Sequence, residues 1–349
     1  MQYPLIEINS DRPEERGLQY GAQAVEQIHT AREYYRAIMA KKGMPWEAVR
    51  RFAGKYAEKI RDFSPELIDE IGGIAAGAGV TPEDILAINL RYEIAKFGSI
   101  PECTTGVTLP KATASGTTFA FKNWDFSQGV MKHLLVLHIV AGDIRILGLT
   151  EAGQLIRDGF NNFGISINAN NLQSVHDHAG FGIPVTFLRR KVLMSRSFEE
   201  AAQIIRQAPR TVSNNILLAD GIAGRAIDFE WHPEGADELF PEDGILTHAN
   251  HFVMHPELDA ITGRPKNRDV RLRELLTKEN GRIDVPIIQA AMRDHKYYPL
   301  SICGHPDPGA GPYGADRITV SSMITDFTGG CAYICGGPPC EDDYVRYEL

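Results

Sequence analysis

Cys103 stands in Pro101-Glu102-Cys103-Thr104-Thr105-Gly106, where a breaker-rich stretch gives way to strand-forming residues. A thiol so placed can attack the carbonyl of the residue before it. A C–S bond forms as the Glu102–Cys103 C–N bond breaks, and water then hydrolyses the thioester. Cys103 is left with a free α-amine of unperturbed pKa about 8, so one residue carries nucleophile and general base together. The competing reading is a buried small apolar side chain, a common fate of free cysteine.

Other residues could complete such a site. Lys122-Asn123-Trp124-Asp125-Phe126 ends the next predicted strand, and a hairpin would return residue 125 to the side of residue 103. There Asp125 can hold and orient the new α-ammonium while Lys122 favours the thiolate; alternatively Asp125 simply starts a turn. In Thr247-His248-Ala249-Asn250-His251, the Asn250 amide can donate to a developing oxyanion. His248 and His251 compete as metal ligands, but they stand at i and i+3 in a strand-to-loop pattern without a third ligand at familiar spacing. A papain-like Cys–His pair using either histidine is a further option. Asn168-Ala169-Asn170-Asn171 is a run of amides in an apolar strand, consistent with polar contacts in a cleft through Asn170 or with a solvated strand end.

The other cysteines read as structural. Cys331 and Cys335 would lie about 13 Å apart along a strand at roughly 3.3 Å per residue, too far to chelate one ion or form a bridge. Cys303 and Cys340 fall in loop-like sequence with no evident partner, so no metal and no cofactor is expected.

These groups must be positioned by two kinds of element. Residues 17–42 and 46–63 carry helical periodicity, and Ser64-Pro65 and Thr81-Pro82 each place a capping residue before proline. Thr81 and Asp84 approximate a capping box. Gly77-Ala78-Gly79-Val80 is expected to separate those helices, and the last helix to run to about residue 97. After Cys103 the period changes. Strands are predicted over 117–124, 134–140, 144–150 and 165–169, then helices over 185–194 and 198–208, the latter capped by Ser197 with Glu200. Strands follow at 216–219, 225–231 and 245–248, helices at 268–278 and 285–294, and a hairpin of 318–327 with 331–335. Helices, meandering strands, helices and strands again predict an α+β sandwich rather than alternating βαβ units.

Composition bounds the chemistry. The 349 residues are 43% hydrophobic and 23% charged, enough for a large core. A net charge of −9 argues against a nucleic-acid partner, and the basic cluster Arg189-Arg190-Lys191 reads as a solvated helix face. No run reaches the roughly 18 apolar residues of a membrane span. The N-terminal Met1-Gln2-Tyr3-Pro4-Leu5-Ile6 has neither a basic n-region nor an apolar h-region, so with five cysteines the expectation is a cytoplasmic protein with free thiols.

Taken in order, the motifs resemble the acyl-coenzyme A:isopenicillin-N acyltransferase group of cysteine N-terminal nucleophile (Ntn) hydrolases, and more distantly penicillin V acylases and bile salt hydrolases. The resemblance rests on Cys103-Thr104-Thr105, Asn123-Trp124-Asp125-Phe126, Thr150-Glu151-Ala152-Gly153, Gly159-Phe160-Asn161, Thr247 to His251, Tyr298-Pro299-Leu300-Ser301-Ile302-Cys303 and Gly336-Gly337-Pro338-Pro339-Cys340. It implies a four-layer αββα sandwich and self-cleavage between Glu102 and Cys103. An α segment, 1–102, would then stay associated with a β segment, 103–349. It makes Cys103 the nucleophile, Asp125 the partner of its amine and Asn250 the oxyanion donor. Thr104 would support the cleavage site, and Arg268 matches more loosely an arginine near the thiol. Glu102 replaces the glycine that precedes the acyltransferase cysteine, and Gly304 stands where arginine commonly follows Ser-Ile-Cys. The leading expectation is an amidase of small linear N-acyl amides. Its alternatives are an acyl-CoA-dependent N-acyltransferase and an uncleaved, non-catalytic binding protein on the same scaffold.

Overall fold

The computed structural model describes residues 1–94, 102–261, 265–309 and 315–349. The chain opens on strand β1 (Leu5–Asn9) and continues through α1 (Pro13–Gln23), α2 (Val25–Lys41), α3 (Trp46–Gly54), α4 (Tyr56–Phe63), α5 (Pro65–Ala78), α6 (Pro82–Asn89) and α7 (Arg91–Ile94). The expected helix over 17–42 is two helices that break at Ala24, where φ −115° and ψ 25° leave the helical region without proline or glycine. The helix over 46–63 likewise divides at Lys55. Gly77 and Ala78 belong to α5, which ends at Gly79 in the left-handed conformation (φ 67°) that glycine adopts without strain. The capping box of α6 is complete: Asp84 N donates to Thr81 Oγ1 over 3.3 Å and Thr81 N to Asp84 Oδ2 over 3.2 Å. The helix expected to reach residue 97 lies outside the described residues beyond Ile94.

Glycines set the closest helix crossing. A Cβ added at Gly17 of α1 would stand 2.1 Å from the Glu70 carbonyl oxygen, and one at Gly73 of α5 would stand 2.0 Å from that of Glu14. With no Cβ at either position, the two backbones touch.

The rest of the chain supplies β2 (Glu102–Thr108), β3 (Phe119–Ser127), β4 (Leu134–Ala141), β5 (Ile144–Glu151), β6 (Asp158–Asn161) and β7 (Ile165–Asn171). Helices α8 (Val185–Leu193) and α9 (Phe198–Gln207) precede β8 (Asn214–Asp220), β9 (Arg225–His232), β10 (Gly235–Leu239) and β11 (Ile245–His248). Helices α10 (Arg268–Lys278) and α11 (Val285–Met292) then lead to β12 (Arg317–Asp326), β13 (Cys331–Gly336) and β14 (Val345–Glu348). Arg189 and Arg190 of α8 are buried, so the basic cluster is not a solvated face: Arg190 pairs with Glu70 at 3.1 Å. Strands β1, β6, β10 and β14 add to the strands expected from the sequence.

The strands form two sheets, one of order β1-β4-β5-β6-β7-β8-β9-β10 and one of order β11-β2-β3-β12-β13-β14. Side-chain alternation sorts each strand between two cores. Leu135, Leu137 and Ile139 of β4 pack beneath α1 to α6, α8 and α9, whereas Leu134 and Val136 face the second sheet. On that second sheet Phe119 and Phe121 of β3 pack against α10 and α11, while Trp124 and Phe126 face inward. The result is a four-layer αββα sandwich. Residues 1–102 share its core, because β1 pairs in parallel with β4 and Tyr3 Oη donates to the Val320 carbonyl over 2.6 Å. Among the described residues no single helix is long and apolar enough to cross a membrane.

Candidate active site

The register of the β2–β3 hairpin brings the expected partners together: Glu102 lies opposite Asp125, Cys103 opposite Trp124, and Thr104 opposite Asn123. Cys103 is fully buried in the apolar cluster between the sheets, beside Trp124. Strand β11 flanks β2 on its other side, with His248 opposite Thr105, and so delivers Asn250 to Cys103. Asn250 Oδ1 accepts from the Cys103 backbone nitrogen at 2.5 Å and from Arg268 Nη2 at 3.0 Å. Its Nδ2 donates to the Asn171 carbonyl over 2.8 Å. The amide oxygen, rather than the NH2 group, therefore faces the position of the expected cut.

Asp125 is held from two sides. Arg268 Nη1 donates to Oδ2 over 3.0 Å, and Thr319 Oγ1 donates to Oδ1 over 2.6 Å. Gly304 N donates to the same Thr319 hydroxyl over 2.8 Å. The β3–β12 register slips between Thr319 and Ser321, a bulge that aims Thr319 at the carboxylate. Arg268 opens α10, the end where the helix dipole disfavours a cation. The Asp125 carboxylate and the Asn250 oxygen offset that cost, so a loosely matched arginine becomes the link between both expected site residues.

Lys122 serves a different purpose from the one expected. Its Nζ donates to both Asp158 oxygens over 2.8 Å and to the Ala169 carbonyl over 2.5 Å, inside the protein. Burial brings Lys122 down to about 8, against the opposing pull of Asp158. Burial alone would raise Asp158, but Lys122, Arg157 and Arg189 hold it below the usual carboxylate range. The sequence reading missed Arg157, whose guanidinium stacks over Trp124 at 3.6 Å from the ring centre. The charges of Lys122 and Arg157 both act on Cys103. The signal was Arg157-Asp158 directly before Gly159-Phe160-Asn161.

Asn170 staples the layers together: its Nδ2 donates to the Ala249 carbonyl over 3.0 Å, fixing the turn that carries Asn250. Asn170 Oδ1, Thr104 Oγ1 and Trp124 Nε1 are buried without a hydrogen-bond partner among the described residues. His248 is committed elsewhere. Its Nε2 meets Glu230 at 2.9 Å and its Nδ1 the Ala249 carbonyl at 3.0 Å. Burial would lower it, but Asp228 and Glu230 raise it to about 9. A protonated imidazole with both N–H groups bonded is neither a metal ligand nor a catalytic base, which removes His248 from both alternative readings. His251 pairs with Asp269 at 3.7 Å. Cys303 and Cys340, expected without partners, bring their sulfurs within 3.5 Å of each other. Two loops far apart in sequence make that contact, which spacing alone could not reveal.

Residues 112–309, more than half of the chain, match the model of the acyl-coenzyme A:6-aminopenicillanic acid acyl-transferase family. The chain belongs to that family. The 40 kDa form of the acyl-coenzyme A:6-aminopenicillanic-acid-acyltransferase of Emericella nidulans is 27% identical over 340 residues, which are 95% of this chain and 92% of that protein. Among solved structures, a variant of the conjugated bile acid hydrolase of Clostridium perfringens superposes with a TM-score of 0.51 at 16% identity, covering 70% of this chain and 92% of that one. That likeness concerns the fold, the four-layer αββα sandwich. The family match covers β3 to β11 and the Arg268 helix; Cys103 itself lies just ahead of the matched residues.

Proposed function

We propose that this acyltransferase-family member is a self-processing cysteine amidase of small linear N-acyl amides. The observation that carries the reading is the contact of Asn250 Oδ1 with the Cys103 nitrogen, coupled through Arg268 to Asp125. Cys103 Sγ attacks the Glu102 carbonyl, the C–N bond breaks, and water releases the 1–102 segment from the thioester. The freed α-amine, held by the Asn250 oxygen, takes the thiol proton as Sγ attacks the amide carbonyl of a substrate. The same amine passes that proton to the leaving amine, and water hydrolyses the acyl-thioester. An oxyanion role for Asn250 requires its NH2 group to exchange the Asn171 carbonyl for the substrate oxygen. In the uncut chain the thiol is fully buried, so cleavage precedes substrate access. The two segments remain associated through the shared core, and no cofactor takes part in these steps.

The acyltransferase name of the Emericella nidulans relative favours a second reading, in which an amine rather than water accepts the acyl group from Cys103 and an acyl-CoA serves as donor. The test of the first reading is a denaturing gel with intact-mass measurement. Wild-type protein should give fragments ending at Glu102 and beginning at Cys103, and Cys103→Ala should remain one inactive chain. An active, uncut wild type would overturn self-processing. Product analysis with N-acyl amides and with acyl-CoA plus amines then decides between the acceptors.

A further inference from the structure

Away from Cys103, four potential ligands converge. His295 and His305, in the loop after α11, meet Cys303 of the same loop and Cys340 of the turn after β13. One ligand atom from each lies within 4.8 Å of all the others. The two histidine Nε2 atoms are 3.0 Å apart, and the two sulfurs 3.5 Å apart. His305 Nε2 stands 3.4 Å from Cys340 Sγ and 3.7 Å from Cys303 Sγ. With zinc–sulfur bonds of about 2.3 Å and zinc–nitrogen bonds of about 2.0–2.1 Å, a tetrahedron has edges of roughly 3.4–3.8 Å. Three of the four separations, 3.4, 3.5 and 3.7 Å, fall within that range, and the 3.0 Å between the imidazole nitrogens would widen slightly around an ion. The sulfurs are well beyond the roughly 2.05 Å of a disulfide, and both cysteines are free thiols.

The surroundings suit a metal. His305 Nδ1 faces Glu341 Oε1 at 3.6 Å, the outer carboxylate that orients a ligating imidazole. Cys303 is buried while His295 and Cys340 are exposed, so an ion can enter from solvent. Two thiolates and two neutral imidazoles exactly balance a dication, and thiolate with imidazole is the donor set that selects zinc.

We propose that His295, Cys303, His305 and Cys340 form a structural zinc site that fastens the loop after α11 to the turn after β13. Binding forms two Zn–S and two Zn–N bonds, and the two thiols release their protons to solvent. Four protein ligands close the coordination sphere, so the ion is a staple and not a Lewis acid for substrate. Its place in the fold gives the staple a purpose. The Ile302 carbonyl accepts from Asn123 Nδ2 over 2.8 Å, and Gly304 N holds the Thr319 hydroxyl that bonds Asp125. Fixing Cys303 therefore fixes the backbone on both sides of it, and through that backbone Asn123 and Asp125.

The experiment is metal analysis of the purified full-length protein, with cobalt substitution after chelation; neither readout depends on the proposed amidase activity. Expected are about one zinc per chain and, with Co²⁺, intense tetrahedral absorption plus thiolate-to-cobalt charge transfer. Cys340→Ser should weaken the charge-transfer band, and Cys340→Ser with His295→Ala should lower zinc affinity at least about 100-fold. Should the double variant fail to fold, the wild-type cobalt spectrum decides alone. The proposal is overturned by purified protein that neither contains nor takes up stoichiometric metal. A cobalt spectrum without thiolate bands, or a Cys303–Cys340 disulfide in freshly isolated protein, would overturn it equally.

Discussion

The side-chain oxygen of Asn250 and the backbone nitrogen of Cys103 are hydrogen-bonded at 2.5 Å, although 147 residues separate them in sequence. The acceptor is thus already in place for the amine that a cut before Cys103 would create. Arg268 donates to the same oxygen and to Asp125, so the three residues respond to change together.

Asn250→Ala removes that acceptor and, where its NH2 group exchanges the Asn171 carbonyl for the substrate oxygen, the oxyanion donor as well; kcat/KM should fall by about 100- to 1,000-fold, and the two fragments should appear more slowly. Steady-state kinetics and a time course on a denaturing gel measure both effects. Should Asn250 only secure the Asn171 carbonyl, melting temperature would fall while both rates held.

Asp125→Asn removes the carboxylate that pairs with Arg268 Nη1. Breaking one partner of a buried pair costs about 3–5 kcal/mol, whereas Thr319→Val, which removes one hydrogen bond to the carboxylate, should cost about 1–3 kcal/mol. Urea unfolding of the uncut Cys103→Ala background compares the two without interference from processing. Equal losses would mean that Arg268 finds another partner when Asp125 is neutral.

His248 makes stability depend on pH. Its folded pKa of about 9 lies above its unfolded value, so its contribution is complete below about 6.5 and is lost as pH rises toward about 9. The shift corresponds to about 3 kcal/mol at about 1.4 kcal/mol per unit. Asp228, raised to about 6 by burial, adds a loss at lower pH, between about 4 and that value. Between pH 6.5 and 8 the unfolding free energy of His248→Gln should accordingly fall less steeply than that of wild type. Parallel curves would show that the imidazole is not charged in the fold.

What could be read ahead of the structure follows from where information lies along the chain. The β2–β3 hairpin was legible because strand period and turn chemistry are local, and they place Asp125 near Cys103. The Arg268 link is not local. It depends on α10 packing across β11 and β2, and only a loose family match pointed to it. Arg157 was missed because an arginine that closes a short loop carries no period, and its stacking on Trp124 arises only when the two sheets face each other. The meeting of Cys303 and Cys340 was hidden for the same reason, since loop-to-loop contacts leave no spacing rule. The break at Ala24 lacks any breaker residue, so packing rather than propensity sets it.

Tyr347 Oη donates to the Tyr3 carbonyl over 3.0 Å, and the amino group of Met1 pairs with Asp342 and reaches the Gly336 carbonyl at 3.3 Å. Both terminal segments thus lie along β13, Met1 at its Gly336 end and Leu349 at its Gly330 end. A linker able to run the length of β13, about 20 Å at roughly 3.3 Å per residue, could join Leu349 to Met1, and the gene could be reopened so that translation starts at Cys103. Such a circular permutant would gain its terminal cysteine by removal of the initiator methionine and would carry residues 1–102 at its far end. If it turned over substrate, the chemistry of the thiol would be separated from the proposed cut before Cys103; Glu102, then the last residue, would no longer matter to the rate.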